Sequence, residues 1–261
     1  MLISSLQNPS VKNLVKLTKA RERKAQDLFV IEGARELSLA LAGDYSIQEV
    51  YVCNDLFTHT RYPDVLDNIA EDKIVEITPQ VFQKVSYRTG SDGVIALARP
   101  KSHTLADIRL SDNPFVIVLE SVEKPGNLGA ILRSADAAKV DAVIVCDPKT
   151  DIYNPNVVRS SVGGLFGVPT AVCTSDEAMT WLNENKIASY AAELEASVWY
   201  HTIDFRGPSA IVMGTEAEGL TTNWLKYATK RIKIPMLGKV DSLNVSVSTA
   251  VLTFEAMRQR M

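Results

Sequence analysis

The chain has 261 residues, 46% of them apolar, enough for one large domain or two modest ones with ample buried cores. Its formal net charge of −3 gives no global attraction to nucleic acid or anionic membrane, so any polyanion site has to be a local patch. Three cysteines argue against a disulfide framework, the leading residues Met-Leu-Ile-Ser-Ser-Leu are too short for a signal peptide, and no apolar run approaches the roughly 20 residues of a membrane span, so a cytoplasmic protein without a metal site is expected.

Two α/β units are expected. The first runs to about Arg99. Residues Asn8 to Lys24 read as one helix, with Asn8 as N-cap and Pro9 in the first turn. Strands are expected at Phe29–Glu32, Glu49–Cys53, Ile74–Ile77 and Gly93–Ala98, with helical segments between. Residues 100–114 are polar, aperiodic and bracketed by prolines, and read as a linker. The second unit, 115–261, opens with the apolar run Phe115–Glu120, and similar runs recur at Ala142–Cys146, Val168–Cys173, Ala188–Ala192 and Ala210–Met213. They lack alternation, as expected of strands covered on both faces. Cys146 and Cys173 end two of these runs and read as small buried residues. Alternating β and α in this order implies a mostly parallel, doubly wound sheet with its ligands at the carboxyl ends of the strands.

Three segments carry chemistry. In Lys124-Pro-Gly-Asn-Leu-Gly-Ala-Ile-Leu-Arg133, a strand passes into a helix whose buried stripe is Leu128, Ile131, Leu132 and Ala135. Asn127 stands at the helix start and Arg133 lies off the stripe. An amide, free N–H groups and a guanidinium suit a phosphate or carboxylate; an N-cap Asn and a solvated Arg are the plainer reading. In Gly214-Thr-Glu-Ala-Glu-Gly219, two glycines permit a sharp turn or close approach, and Glu216 is a candidate acceptor, while Glu218 reads as solvated. In Ile234-Pro-Met-Leu-Gly-Lys-Val-Asp-Ser-Leu-Asn244, Ser242 and Asn244 either cap or serve a site at the entry to helix Val245–Gln259, whose buried stripe is expected at Val247, Val251 and Phe254. Neither Gly-x-Gly-x-x-Gly nor Gly-x-x-x-x-Gly-Lys occurs, which weighs against dehydrogenase and NTPase readings.

Taken together and in this order, Asn127-x-Gly129-x-x-x-Arg133, Gly214-x-Glu216-x-x-Gly219 and Ile234-Pro-Met236 with Ser242-Leu-Asn244 resemble the three signature motifs of the SpoU/TrmH family of RNA ribose 2′-O-methyltransferases, within the SPOUT class. The resemblance covers about residues 115–260. Position 124 departs from the family pattern, which usually has Asp or Asn before the proline, and Ser248 stands where Ala is frequent. The first unit, through Asn8-Pro-Ser-Val-Lys12 and Phe29-Val-Ile-Glu-Gly-Ala-Arg35, is similar to the small substrate-binding domain of such enzymes, which resembles ribosomal proteins that bind RNA kinks.

The resemblance implies a C-terminal trefoil knot, a homodimer formed through the C-terminal domain, and S-adenosylmethionine held by Gly214, Ile234, Met236 and Leu243. It implies a catalytic set of Asn127, Arg133, Glu216, Ser242 and Asn244. The substrate would be structured RNA, ribosomal rather than transfer RNA, with a catalytically silent RNA-binding protein as the alternative. His59, His103 and His201 all lie outside the motifs. The family proposal makes Arg133 the base, but a guanidinium stays protonated in proteins, so Arg133 could instead grip a phosphate and stabilise alkoxide charge, with Glu216 holding it. RNA contacts are expected from Lys12, Lys16, Lys19 and Arg23, spaced as one helical stripe, and from Arg35; Lys226, Lys230, Arg231, Lys233 and Lys239 form a second acid-free run.

Overall fold

Strands form wherever β-branched and apolar residues run unbroken, and the chain gathers them into two sheets. The computed structural model describes residues 2–57, 61–87, 90–196 and 198–261; His59 lies outside them. The first compact unit comprises the residues up to Lys101 together with Asp151–Gly167. Its elements begin with β1 (Leu2–Ile3), α1 (Pro9–Lys16), α2 (Ala20–Gln26), β2 (Phe29–Glu32) and α3 (Ala34–Ala42). They continue with β3 (Ile47–Val52), α4 (Asn54–Phe57), β4 (Ile74–Ile77), α5 (Pro79–Val85) and β5 (Val94–Ala98). The sheet order is β1-β4-β3-β5-β2; β1, β4 and β3 are parallel, and β5 runs antiparallel to both β3 and β2.

The helix expected over Asn8–Lys24 is two helices. Asn8 caps the first, its Oδ1 accepting from Ser10 N at 2.8 Å. The break has a local cause. The Arg23 guanidinium turns inward and donates to the carbonyls of Leu17 (2.8 Å) and Thr18 (2.9 Å), acceptors that a continuous helix would have used itself. Arg23 is 3% exposed and ion-paired to Asp151 at 2.7 Å, so it leaves the expected RNA-binding stripe; Lys12, Lys16 and Lys19 remain exposed.

After β5 the chain enters the second unit, Ser102–Thr150 and Val168–Met261, through β6 (Phe115–Glu120), α6 (Pro125–Ala137) and β7 (Ala142–Cys146). It returns to the first unit for α7 (Pro155–Ser161) and α8 (Gly164–Gly167). There Tyr153 packs on Phe29 with ring centroids 4.2 Å apart, and Phe166 meets Tyr45 edge-on at 5.1 Å. The compact units thus depart from the linear division 1–99, 100–114, 115–261 in two places. Residues 151–167 join the first unit, drawn by this aromatic cluster and by Arg23. Residues 102–114 belong to the second, where Ile108 enters the core and Val172 N–H donates to His103 O at 2.8 Å.

The second unit continues with β8 (Thr170–Cys173), α9 (Ser175–Glu184), β9 (Ala188–Ala192), β10 (Val198–Trp199) and β11 (Ser209–Met213), then α10 (Thr222–Tyr227), β12 (Lys230–Lys233) and α11 (Val245–Arg260). Its seven-stranded sheet has the order β10-β12-β9-β11-β6-β7-β8, with every pairing parallel, as the unalternating apolar runs predict. Strand β12 was hidden by its charge: of Lys-Arg-Ile-Lys only Ile232 is buried. Cys146 is buried as expected, whereas Cys173 is only half-buried.

Leu128, Ile131, Leu132 and Ala135 form the buried stripe of α6, each fully buried. On α11 the expected stripe is wrong. Val247 and Phe254 are 48% and 40% exposed, and the buried face is Val245, Thr249, Leu252, Thr253 and Ala256, which turns toward α6 and β11. Apolar residues occur around the whole circumference of this helix, so periodicity alone did not select a face.

Candidate active site

Parallel pairing of β11 with β6, Met213 opposite Leu119, brings the segment after each strand to one sheet edge. The packing of α11 against α6 and β11 adds a third segment, the approach to Asn244. The residues at this edge interlock through one carboxylate. Glu216 Oε1 accepts from the amide of Asn127 and, at 3.0 Å, from Asn244 Nδ2; Glu216 Oε2 is paired with Lys124 Nζ. Asn244 Nδ2 also lies 3.2 Å from Asn127 Oδ1. Charge-assisted bonds of this kind are the stronger class.

Each partner reaches the carboxylate for a local reason. Lys124, not Asn127, is the N-cap position of α6, and Pro125 occupies the first turn, where a missing N–H costs nothing. Asn127 is therefore released from capping and points to Glu216. Asn244 does both jobs: its Oδ1 accepts from Ser246 N at 2.9 Å and caps α11, while its Nδ2 serves the cluster. The loop presenting Glu216 closes on itself, Thr215 N and Gly219 N each bonding to the other residue's carbonyl. A Cβ on Gly214 would lie 2.2 Å from the Gly219 carbonyl carbon and would force the loop apart, while Gly219, with open space around it, has φ of +69°, where a side chain would strain the backbone.

Beside the cluster is a cleft of about 430 Å³. Gly214, Ile234, Met236 and Leu243, the residues expected to hold a methyl donor, all line it, together with Met213, Leu220, Glu193 and Ser242. It is mainly apolar with a few polar groups, as small-molecule sites are. One feature fits a donor-bearing cofactor such as S-adenosylmethionine. Glu193 Oε2 is buried, lies 3.4 Å from Arg231 Nη1 as an ion pair, and makes no hydrogen bond among the described residues, so it can accept from a ribose hydroxyl or an ammonium.

Ser242 and Arg133 stand apart from the cluster. Ser242 lines the cleft, but its hydroxyl bonds to Asp241 Oδ1 at 2.9 Å. Arg133 is exposed and makes no hydrogen bond or ion pair among the described residues, so Glu216 does not hold it. The residues missed at the sequence level are Lys124 and Glu193. The lysine had a signal, its departure from the family pattern; the glutamate, at the end of an apolar strand, had none. Of the second basic run, Lys233 lies over the Trp199 ring at 4.8 Å and Arg231 pairs with Glu193. Among the described residues no group of three or more His, Cys, Asp or Glu could hold a metal, and no helix is long and apolar enough to cross a membrane.

Comparison with known proteins bears on both units. The model of the SpoU rRNA Methylase family matches residues 114–254, and that of an MRM3-like substrate binding domain matches residues 8–96. The 23S rRNA (guanosine-2′-O-)-methyltransferase of Salmonella typhi is 39% identical over 174 residues, 64% of this chain and 72% of the relative. The 23S rRNA (guanosine(2553)-2′-O)-methyltransferase of Bacillus subtilis is 27% identical over 97% of both chains. A solved RNA 2′-O ribose methyltransferase superposes with a TM-score of 0.89 at 38% identity, over 100% of this chain and 99% of its own. The AdoMet-bound rRNA methyltransferase of Sinorhizobium meliloti does so with a TM-score of 0.90 at 28% identity, over 100% and 98%.

Proposed function

The chain belongs to the SpoU rRNA methylase family, and on that footing we infer that it transfers a methyl group from S-adenosylmethionine to the 2′-hydroxyl of a ribose in structured RNA, ribosomal rather than transfer RNA. The observation that carries this reading is the Glu216 cluster: three segments remote in sequence meet on one carboxylate at the rim of a cleft.

Bound S-adenosylmethionine supplies an electrophilic methyl on a sulfonium. Gly214, Ile234, Met236 and Leu243 would form the walls that hold it, and Glu193 would accept from one of its donors. Lys124, Asn127 and Asn244 fix Glu216 and one another, so the ribose meets preset polar groups and little is reorganised during reaction. Ser242, beside them in the cleft, orients the ribose once its hydroxyl leaves Asp241. Arg133 has its guanidinium in solvent. Because guanidinium stays protonated, its role is to hold the adjoining phosphate and to stabilise charge developing on the 2′-oxygen.

The segment 234–244 between β12 and α11 is proposed to thread back as a deep trefoil knot, which supports cofactor-binding walls on both sides of one cleft. The exposed apolar residues Val247 and Phe254 of α11, with Leu243 before it, support a homodimer formed through this domain. Lys12, Lys16, Lys19 and Arg35, all exposed, are the proposed RNA contacts of the first unit. A ribosomal RNA substrate supports a cytoplasmic location.

Transfer of labelled methyl from S-adenosylmethionine to deproteinised 23S rRNA, with mapping of the ribose, tests the function. Glu216→Ala should abolish transfer; transfer to a base, or none to any RNA, overturns the reading. The silent RNA-binding alternative predicts no heat of S-adenosylmethionine binding in calorimetry, and the intact cluster speaks against it.

A further inference from the structure

In the first unit an exposed tyrosine and an exposed arginine face each other. Tyr87, just beyond α5, is 50% exposed, and the Arg159 guanidinium carbon lies over its ring, 5.9 Å from the centroid. Neither the Tyr87 hydroxyl nor the Arg159 guanidinium has a hydrogen bond or ion pair among the described residues. Both are nonetheless set in place by backbone. Tyr87 N–H donates to Glu32 Oε2 at 2.6 Å, which ties the ring's base to the end of β2. Arg159 sits near the end of α7, which packs on the same strand. Between them lies a groove floored by Leu14, Val30, Val85 and Val158.

We propose that Tyr87 and Arg159 form a two-sided platform that takes one unpaired base of the RNA substrate. The claim rests on the RNA reading given above. The groove floor encloses about 20 Å³, room for a single water, so a ligand must lie on the ring rather than sink into the floor. A planar guest between two planar groups needs about twice the ~3.4 Å stacking step of nucleotides, roughly 7 Å. The observed 5.9 Å is within the outer range of a cation–π contact yet about 1 Å short of that spacing, a gap that a turn of the Arg159 side chain opens. A base presents a π-face to both sides, and its phosphate meets a basic surface: Lys84 is exposed on α5, and Lys12 and Lys16 on α1, which packs against α5. Glu32 also lines the groove, with its carboxylate accepting from the Tyr87 N–H; an RNA strand brings Arg159 a phosphate with every nucleotide.

The test is binding of the full chain to deproteinised 23S rRNA across a salt series, with S-adenosylmethionine affinity measured by calorimetry for each variant. Tyr87→Leu should weaken RNA binding about 10- to 100-fold, on the order of one stacked base, without changing the salt slope, whereas Tyr87→Phe should bind as the unaltered protein does. Arg159→Ala should lose a similar factor and lower the slope by about 1; Arg159→Lys should keep the slope but not the affinity. S-adenosylmethionine affinity should hold throughout. Normal RNA binding by Tyr87→Leu, or equal losses in Tyr87→Leu and Tyr87→Phe, overturns the platform while leaving the RNA reading intact. Failure of the unaltered protein to bind rRNA overturns both.

Discussion

Asn244 serves the helix and the candidate site through different atoms. Its Oδ1 caps α11, and its Nδ2 completes the Glu216 cluster. The two roles separate by substitution. Asp is as good an N-cap as Asn, so Asn244→Asp should melt near the unaltered protein, yet it sets a second carboxylate against Glu216. Its kcat/KM should fall at least about tenfold, roughly 1.4 kcal/mol of transition-state stabilisation. Asn244→Ala should lose activity and, in addition, about 1 kcal/mol of stability with the cap, read as a lower melting temperature. At Gly214 the constraint is steric. A Cβ 2.2 Å from the Gly219 carbonyl carbon forces the loop apart, and Gly214→Ala should lose S-adenosylmethionine binding in calorimetry while keeping its far-UV circular dichroism.

Elements are held to the site by buried polar groups at the strand ends. Glu120, the last residue of β6, is 3% exposed and accepts from Thr221 N at 2.8 Å and Thr221 Oγ1 at 2.7 Å. Ser175, at the head of α9, donates to Asp147 Oδ2 at 2.6 Å and accepts from Trp224 Nε1 at 3.0 Å. This network fastens the loop that carries Gly214 and Glu216 to the centre of the sheet. Glu120→Ala leaves the Thr221 N–H without its acceptor and should cost about 1–3 kcal/mol in denaturant titration. It should also weaken S-adenosylmethionine binding, because the 214–221 loop loses its far anchor. Glu120→Gln keeps one acceptor oxygen and should fall between the two.

For the molecule as a whole, the charges report on pH and on partners. Asp107, accepting from the Thr104 hydroxyl and N–H, and Glu177, accepting from the N–H and hydroxyl of Thr174, lie below the usual carboxylate range. So do Glu123 beside Lys149 and Asp204 beside Arg206; Glu255, bonded by Arg258 and Gln259, is lowered to about 2. A carboxylate depressed in the folded state stabilises above its unfolded value, near 4.3 for Glu, and loses that contribution as pH falls through its folded value. Melting temperature should therefore be level above about pH 5 and decline from about pH 4.5 toward pH 2, by little per group because most of these carboxylates are exposed. Reversing Lys12, Lys16 and Lys19 to Glu should weaken rRNA binding and flatten its salt dependence; unchanged binding across the salt series would remove this face from the interface.

Much of this was legible in the sequence because it is written in short-range pattern. Unbroken apolar runs marked the strands of the parallel sheet, Leu128, Ile131, Leu132 and Ala135 marked the inner face of α6, and the three motif segments named the residues that line the cleft. What only the tertiary structure decided involves partners far apart in the chain. Glu216 takes Lys124 rather than Arg133 because β11 pairs with β6 and sets the two loops side by side. Arg23 leaves the basic stripe because two carbonyls and Asp151 hold its guanidinium inside the unit. Residues 151–167 join the first unit because Tyr153 and Phe166 find Phe29 and Tyr45 there. Periodicity states that a helix or strand has an apolar side; which neighbour that side meets, and which charge lies opposite which, depends on contacts that no local window contains.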